Sequence, residues 1–324
     1  MRAISLVCGL VLVALTACDQ QPSGSVSKTS ADLVVVNATV YADGTSNNLQ
    51  SAFAVKDGLF VAVGADESIA SYIGADTEIV DAGGQAVLPG LIDAHVHPWQ
   101  GGEKVLYMCN FAFSTSPDEL ADIITACADD PNASEWIVGG QWNSNFFVDN
   151  AIASPRQFLD AVSGDHAVFL DDDSAHHGWA NTKALKLAGI PLSADTPDPE
   201  GGVFVRDAEG IPNGVLLEAA AGVVGSMIPP RTADEKANAI KAVSTIANGF
   251  GVTAFGDARV PPAALAAYQT ADERGDLRVH AVLYQQSFGH GAAPKPLESV
   301  AAYDDRVVKY ASPNTHLKAI KFFL

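Results

Sequence analysis

The segment Leu88-Pro89-Gly90-Leu91-Ile92-Asp93-Ala94-His95-Val96-His97-Pro98 constrains this chain more than any other stretch, because it sets two imidazoles one residue apart at the end of an apolar run. Residues i and i+2 of a strand share a face, so His95 and His97 are expected to point the same way. Pro89-Gly90 punctuates the start of the run and Pro98 its end. Both histidines therefore fall at the carboxyl end of a short strand, which is where active sites gather in β/α barrels. Imidazole is the commonest metal-binding side chain near neutral pH, and two on one rigid face can approach one divalent ion from adjacent directions. A hydrogen-bonded core pair is the alternative that the three letters alone leave open.

At the N-terminus, Arg2 precedes an apolar stretch from Ile4 to Ala17, too short to span a bilayer comfortably but of the length of a signal-peptide core. Its end, Leu15-Thr16-Ala17-Cys18, resembles a bacterial lipobox. That resemblance implies a lipoprotein signal peptide over residues 1–18, lipidation of Cys18, and a flexible Ser-rich tether over residues 19–30; a plain secretory signal is the alternative. The protein is then expected on the periplasmic side of a bacterial cell envelope, touching the membrane only through its lipid. Asp19 resembles an inner-membrane retention signal. Of the four cysteines, Cys8 leaves with the signal, and Cys109 and Cys127 remain. An oxidising periplasm permits them to pair, but the sequence does not show whether their Cα atoms come within bonding range, and the pairing is left open. The formal net charge of -19 argues against nucleic acid or an anionic lipid surface as a partner.

Short β-rich runs at Leu33 to Val40, Ala52 to Val55, Leu59 to Val63 and Glu78 to Asp81 are separated by Gly punctuation, with Asp57-Gly58 a good hairpin turn. Ser116 with Glu119, and Thr232 with Glu235, are capping boxes. The first opens a helix toward Cys127, with Pro117 at its first position. The second opens one with apolar positions Ile240, Val243, Ile246, Ala247 and Phe250. Trp136 to Gly140 and His166 to Leu170 read as strands, Asn181 to Ala188 as a short helix, and Gly201-Gly202 and Asn213-Gly214 as turns. Strand-like runs at Val252 to Gly256, Arg278 to Tyr284 and Leu317 to Leu324 follow, with a helix-compatible Pro262 to Arg274 between the first two. If the last run is a strand, Lys321 lies on one face and Lys318 on the other. A slip of one residue exchanges them.

The His95-Val96-His97 segment resembles the first-strand signature of the metal-dependent amidohydrolases. Further motifs narrow the resemblance to the branch of N-substituted formamide deformylases, amidohydrolase family 3: Gly139-Gly140-Gln141-Trp142, Ser174-Ala175-His176-His177-Gly178-Trp179, Asn213-Gly214-Val215-Leu216-Leu217-Glu218, Gly251-Val252-Thr253-Ala254 and Ile320-Lys321-Phe322-Phe323-Leu324. The resemblance implies an α/β chain: the N-terminal part of a small β-sandwich over residues 31–88, then over 89–324 the first half of a (β/α)8 barrel with an insertion at about 110–225.

It implies one or two divalent ions, zinc foremost, held by His95, His97 and Lys321 as a carbamate. It places His176 and Trp142 at the substrate, with His177 at a variable position; core filling is the other reading of Trp142. Asp93, two and four residues from the histidines, is expected to orient a ligand or an interior polar group. The implied reaction is hydrolysis of an amide-type, non-peptide carbon–nitrogen bond by a metal-activated water, on a small-molecule substrate. The family's catalytic aspartate and two further metal histidines would lie beyond Leu324, so the chain is expected to be a fragment, inactive alone. A deaminase or esterase on the same fold, and a non-catalytic binding lipoprotein, remain open. His280, His290 and His316 read as structural or exposed, and the oligomeric state is not legible.

Overall fold

The computed structural model describes residues 30–174, 176–287 and 299–322. The leader with Cys18, His290, Phe323 and Leu324 lie outside the described residues. The chain divides into two compact units, Met1–Pro89 and Gly90–Leu324.

In the first unit the hairpin of Ala52–Lys56 and Leu59–Gly64 turns at Asp57-Gly58, both at positive φ. It extends a sheet through Leu33–Val36 to Glu78–Asp81. The apolar run from Leu33 to Val40 is not one strand. Asn37 at φ 53° breaks it, and Thr39–Tyr41 joins a second sheet between Leu49–Gln50 and Ala86–Val87. Asn tolerates that left-handed conformation better than the valines around it.

The second unit is built on two sheets. One has four parallel strands in chain order, Leu91–Val96, Val252–Val260, His280–Gln286 and Thr315–Lys321. Helices Ala233–Gly249 and Pro262–Glu273 cover one face, burying Ile240, Leu265 and Tyr268 against Phe255, Leu283 and Leu317. Both capping boxes form, at Ser116 and at Thr232. On Ala233–Gly249 the buried stripe is Ala237, Ile240 and Ser244, so Ile246 and Phe250 of the apolar series are exposed. Pro98 opens helix Pro98–Tyr107, for which His97 is the N-cap residue. This helix lies against Ala233–Gly249 at Gly102, where a Cβ would meet the Ala239 carbonyl oxygen at 2.1 Å.

Between the first and second of these strands the chain forms a six-stranded mixed sheet, ordered Gly202–Arg206, Pro212–Glu218, His177–Ala180, Ala167–Asp172, Trp136–Trp142 and Cys109–Asn110. Helices Pro117–Ala128 and Pro155–Val162 bury Leu120, Ile124 and Leu159 in one apolar cluster. Thr182–Leu187 and Ala219–Gly225 bury Leu185 and Val224 in another. Asn213-Gly214 is not a turn but part of a strand. Gly214 sits at φ 97°, and a Cβ there would meet the Ala180 carbonyl oxygen at 2.4 Å.

Cys109 and Cys127 form a disulfide with a Cα–Cα distance of 6.1 Å, a pairing that the sequence left open. Folding brings the edge strand Cys109–Asn110 beside helix Pro117–Ala128, a proximity that spacing alone cannot show. The bond closes a separation of 18 residues, for which loop entropy gives a stabilisation of about 3 kcal/mol. Replacing both cysteines by serine is expected to lower the unfolding free energy by about that amount in urea titrations under oxidising conditions. Superimposable transitions for the two proteins would contradict this.

Candidate metal and substrate cleft

The carboxyl ends of three of the four parallel strands, helix Pro98–Tyr107 and the ends of Trp136–Trp142 and Ala167–Asp172 border a cleft of about 590 Å³, lined by His97, Lys104, Gln141, Asp171, Arg259 and Lys321 among others. His97 reaches it from the end of Leu91–Val96, Arg259 from Val252–Val260 and Lys321 from Thr315–Lys321. His95 stands beside His97, their ring centroids 5.8 Å apart and their planes at 81°. Two imidazoles sharing one zinc through bonds of about 2 Å and a near-tetrahedral angle would have centroids roughly 5 Å apart, so the pair is close to what a shared ion requires.

Below His97 lies Asp257, fully buried, its Oδ1 3.9 Å from His97 Nδ1. The Tyr268 hydroxyl donates to Asp257 Oδ2 at 2.8 Å and the Arg259 backbone N–H to Oδ1 at 3.2 Å. Burial pushes the Asp257 carboxyl up to about 7, against these donors, which favour the charged form. His97 moves down, first because it is partly buried and then because His95, Arg259 and Lys321 add positive charge. The neutral imidazole favoured in this way is the form that binds metals.

Asp93 does not take the place expected of it. The register sets Asp93 opposite Phe255 and Val96 opposite Asp257, so the two-residue period is interrupted between Asp93 and Val96, a span that holds His95. Its Oδ1 accepts the His95 backbone N–H at 3.1 Å, a local contact with the chain rather than an imidazole. A second irregularity falls at Lys318, between Leu317, opposite Leu283, and Ala319, opposite Tyr284. Lys318 is exposed, and Lys321, opposite Gln286, is the lysine at the cleft. Among the described residues no three His, Cys, Asp or Glu side chains gather into a metal-binding group. The donors offered are thus two imidazoles and a lysine that becomes anionic only on carboxylation, a set that suits a borderline divalent ion such as zinc.

Trp142 is a correction. Only 3% exposed, it donates its indole N–H to the Leu170 carbonyl at 3.1 Å and packs against Phe147 and Trp179. It fills the core beside the cleft, and its neighbour Gln141 is the residue that lines the wall, accepting from Lys104 Nζ at 3.1 Å. His176 is about half exposed, with Nδ1 3.1 Å from Glu218 Oε2. His177 Nδ1 lies 3.0 Å from Oδ2 of the buried Asp172. Asp172 also accepts from the Ser174 hydroxyl and from the backbone N–H groups of His176 and His177, fixing the loop that carries them.

Sequence reasoning passed over Asp257, Arg259, Lys104, Gln141, Asp171 and Glu218. A signal existed for the first two, which follow directly on a strand read as ending at Gly256. The Asp171-Asp172-Asp173 run was visible, but which carboxylate faces the cleft depends on the register of Ala167–Asp172.

Residues 78–322 match the amidohydrolase family, and the chain belongs to it. It is 32% identical over 260 residues to the N-substituted formamide deformylase of Arthrobacter pascens, covering 76% of this chain and 46% of that protein. It is 31% identical over 223 residues to Protein LONG AFTER FAR-RED 3 of Arabidopsis thaliana, covering 69% of this chain and 37% of that protein. The crystal structure of an uncharacterized metal-dependent hydrolase from Pyrococcus horikoshii OT3 superposes with a TM-score of 0.64 at 20% identity, over 89% of this chain and 53% of that one. This last likeness is one of α/β fold. The chain spans about half the length, or less, of these relatives.

Burial, and next the charge of Asp172, push the Asp171 carboxyl up to about 6, opposed by Lys104. An unfolded aspartate titrates near 4, so between these values the folded state holds the extra proton and the stability contributed by this group falls as pH rises from about 4 through 6. Chemical denaturation across that window is expected to show Asp171→Asn gaining stability relative to wild type with rising pH. A constant difference would contradict the assigned burial.

Proposed function

We propose that this chain carries part of the active site of a metal-dependent hydrolase that cleaves an amide-type, non-peptide carbon–nitrogen bond. The reading rests on one observation: His97, with His95 beside it, and Lys321 meet at one cleft from the first and last of four parallel strands. In this reading the four strands are the first half of a (β/α)8 barrel, the first unit is part of a β-sandwich, and the six-stranded sheet belongs to an insertion after the first barrel strand. Membership of the amidohydrolase family supports it, and the name of the Arthrobacter relative supports an N-substituted amide as the substrate class.

His95, His97 and a carboxylated Lys321 would hold one or two divalent ions, with zinc the first candidate. A bound ion of this kind supplies a water whose pKa is near 7 and polarises the carbonyl under attack. The chain's own groups prepare that chemistry. Partial burial and neighbouring cations favour the neutral form of His97, and Asp257 lies on the Nδ1 side of its ring, where a carboxylate restrains a ligating imidazole. Lys321 would gain its ligand oxygens by carboxylation, in which the neutral amine nitrogen bonds to the carbon of carbon dioxide and one N–H proton is released to solvent, leaving an anionic carbamate. His176 faces the organic part of the substrate.

At its N-terminus the mature protein is anchored by lipid on Cys18, on the periplasmic side of a bacterial envelope. No helix among the described residues is long and apolar enough to cross a membrane.

Two measurements test this. Metal analysis of the purified chain is expected to find zinc or a similar ion in wild type and at least a tenfold loss of affinity in the His95→Ala, His97→Ala double variant. Carbon-13 NMR after equilibration with labelled bicarbonate should show a carbamate resonance that Lys321→Ala abolishes; unchanged metal content with no such resonance would remove the reading. For the anchor, Cys18→Ala is expected to move the protein expressed with its leader from the membrane to the soluble fraction, and a wild-type protein already soluble would refute it.

A further inference from the structure

Strand Ala167–Asp172 ends in two aspartates with contrasting surroundings. Asp172 is fully buried and takes hydrogen bonds from the hydroxyls of Ser144 and Ser174 and from the backbone N–H groups of His176 and His177. Asp171 lines the cleft, partly exposed there, and its carboxyl accepts no hydrogen bond from any described residue. A carboxylate shielded from water without donors is costly. The backbone pairing of Asp171 with Gly140 does not call for one.

Lys104 lines the same cleft from helix Pro98–Tyr107. Burial shifts both groups toward their neutral forms, and each charge opposes that shift in the other. The two are therefore within electrostatic reach, yet no nitrogen–oxygen contact within 4.0 Å joins them. Gln141 holds the lysine instead, its Oε1 accepting from Nζ at 3.1 Å. An ammonium has three donors, so this bond leaves Lys104 with further capacity. The cleft thus offers a donor and an acceptor of opposite charge, held apart by the elements that carry them.

We propose that Lys104 and Asp171 form a subsite for an uncharged carboxamide group of the substrate, whose carbonyl oxygen accepts from Lys104 Nζ and whose N–H donates to the Asp171 carboxylate. A carboxamide carries both functions on one planar group and brings no charge of its own. A ligand carboxylate would be repelled by Asp171, and a ligand ammonium by Lys104. On the hydrolase reading, the substrate is an amide with a second carboxamide beyond the bond that is cleaved. That role rests on the reading, whereas binding at the subsite does not.

The probes are N-benzoylglycinamide and N-benzoylglycine methyl ester, which share the acyl part and the terminal carbonyl but differ in the N–H group. Each is titrated into the full chain at pH 8, where Asp171 is ionised, and dissociation constants are read by NMR. Wild type is expected to bind the amide tighter than the ester by about fivefold or more, the worth of one hydrogen bond to a charged group. Asp171→Ala should abolish the preference by weakening the amide alone. Lys104→Met should weaken both probes and keep the preference. A wild-type chain that binds the amide no better than the ester, or not at all, would overturn the subsite without recourse to any variant. A preference that survives in Asp171→Ala would overturn it as well. The His95→Ala, His97→Ala variant should retain the preference while losing metal, so failure of the hydrolase reading would be seen separately in the metal analysis.

Discussion

The parallel pairing of Leu91–Val96 with Val252–Val260 is the contact on which the second unit depends. It joins strands separated by more than 150 residues, and a featureless loop of that size would add ordering cost to every residue fixed. The intervening chain escapes this by folding around its own six-stranded sheet, with an apolar cluster on each face. Helix Pro98–Tyr107 leads out of the pairing, and Gly102 lets it rest against the backbone of Ala233–Gly249, which leads back in. The disulfide secures the next short strand to helix Pro117–Ala128. Two imidazoles at the end of the first strand are thereby carried to a cleft whose other wall comes from the intervening sheet.

Asp257 shows how the cleft is tuned. A buried carboxylate is costly unless donors surround it, and here Tyr268 and the Arg259 backbone supply them from two elements. The same side chain reaches toward His97 Nδ1. The chain carries a net charge of -19, yet Lys104, Arg259 and Lys321 converge on the cleft with His97. Local charge there is set by which side chains the strand ends deliver, and the chain's overall balance does not foretell it.

Much of this architecture was legible where a local rule decides the outcome. Capping boxes at Ser116 and Thr232 fixed the starts of two helices to the residue, because side chain and backbone donors satisfy each other within one turn. Asp57-Gly58 located a hairpin. Helix Pro98–Tyr107 was missed because Pro98 reads equally as the end of a strand and the first residue of a helix. The placing of Asp93 on the face of both histidines assumed an unbroken register, and the register shifts between Asp93 and Val96. Trp142 and the disulfide share another cause. Whether an indole faces a cavity or a core, and whether two thiols meet, is settled by packing between distant elements. The positive φ of Glu218, 52°, likewise gave no sign, since such a backbone at a glutamate has no sequence signature.

The most direct test of the account is a crystal structure of the metal-loaded chain, with anomalous diffraction to place the ion. The account predicts a peak within about 2.0–2.2 Å of a nitrogen of both His95 and His97, with density for a carboxyl group on Lys321 Nζ directed toward it. An ion bound elsewhere, with His95 and His97 unligated and Lys321 an unmodified amine, would contradict it.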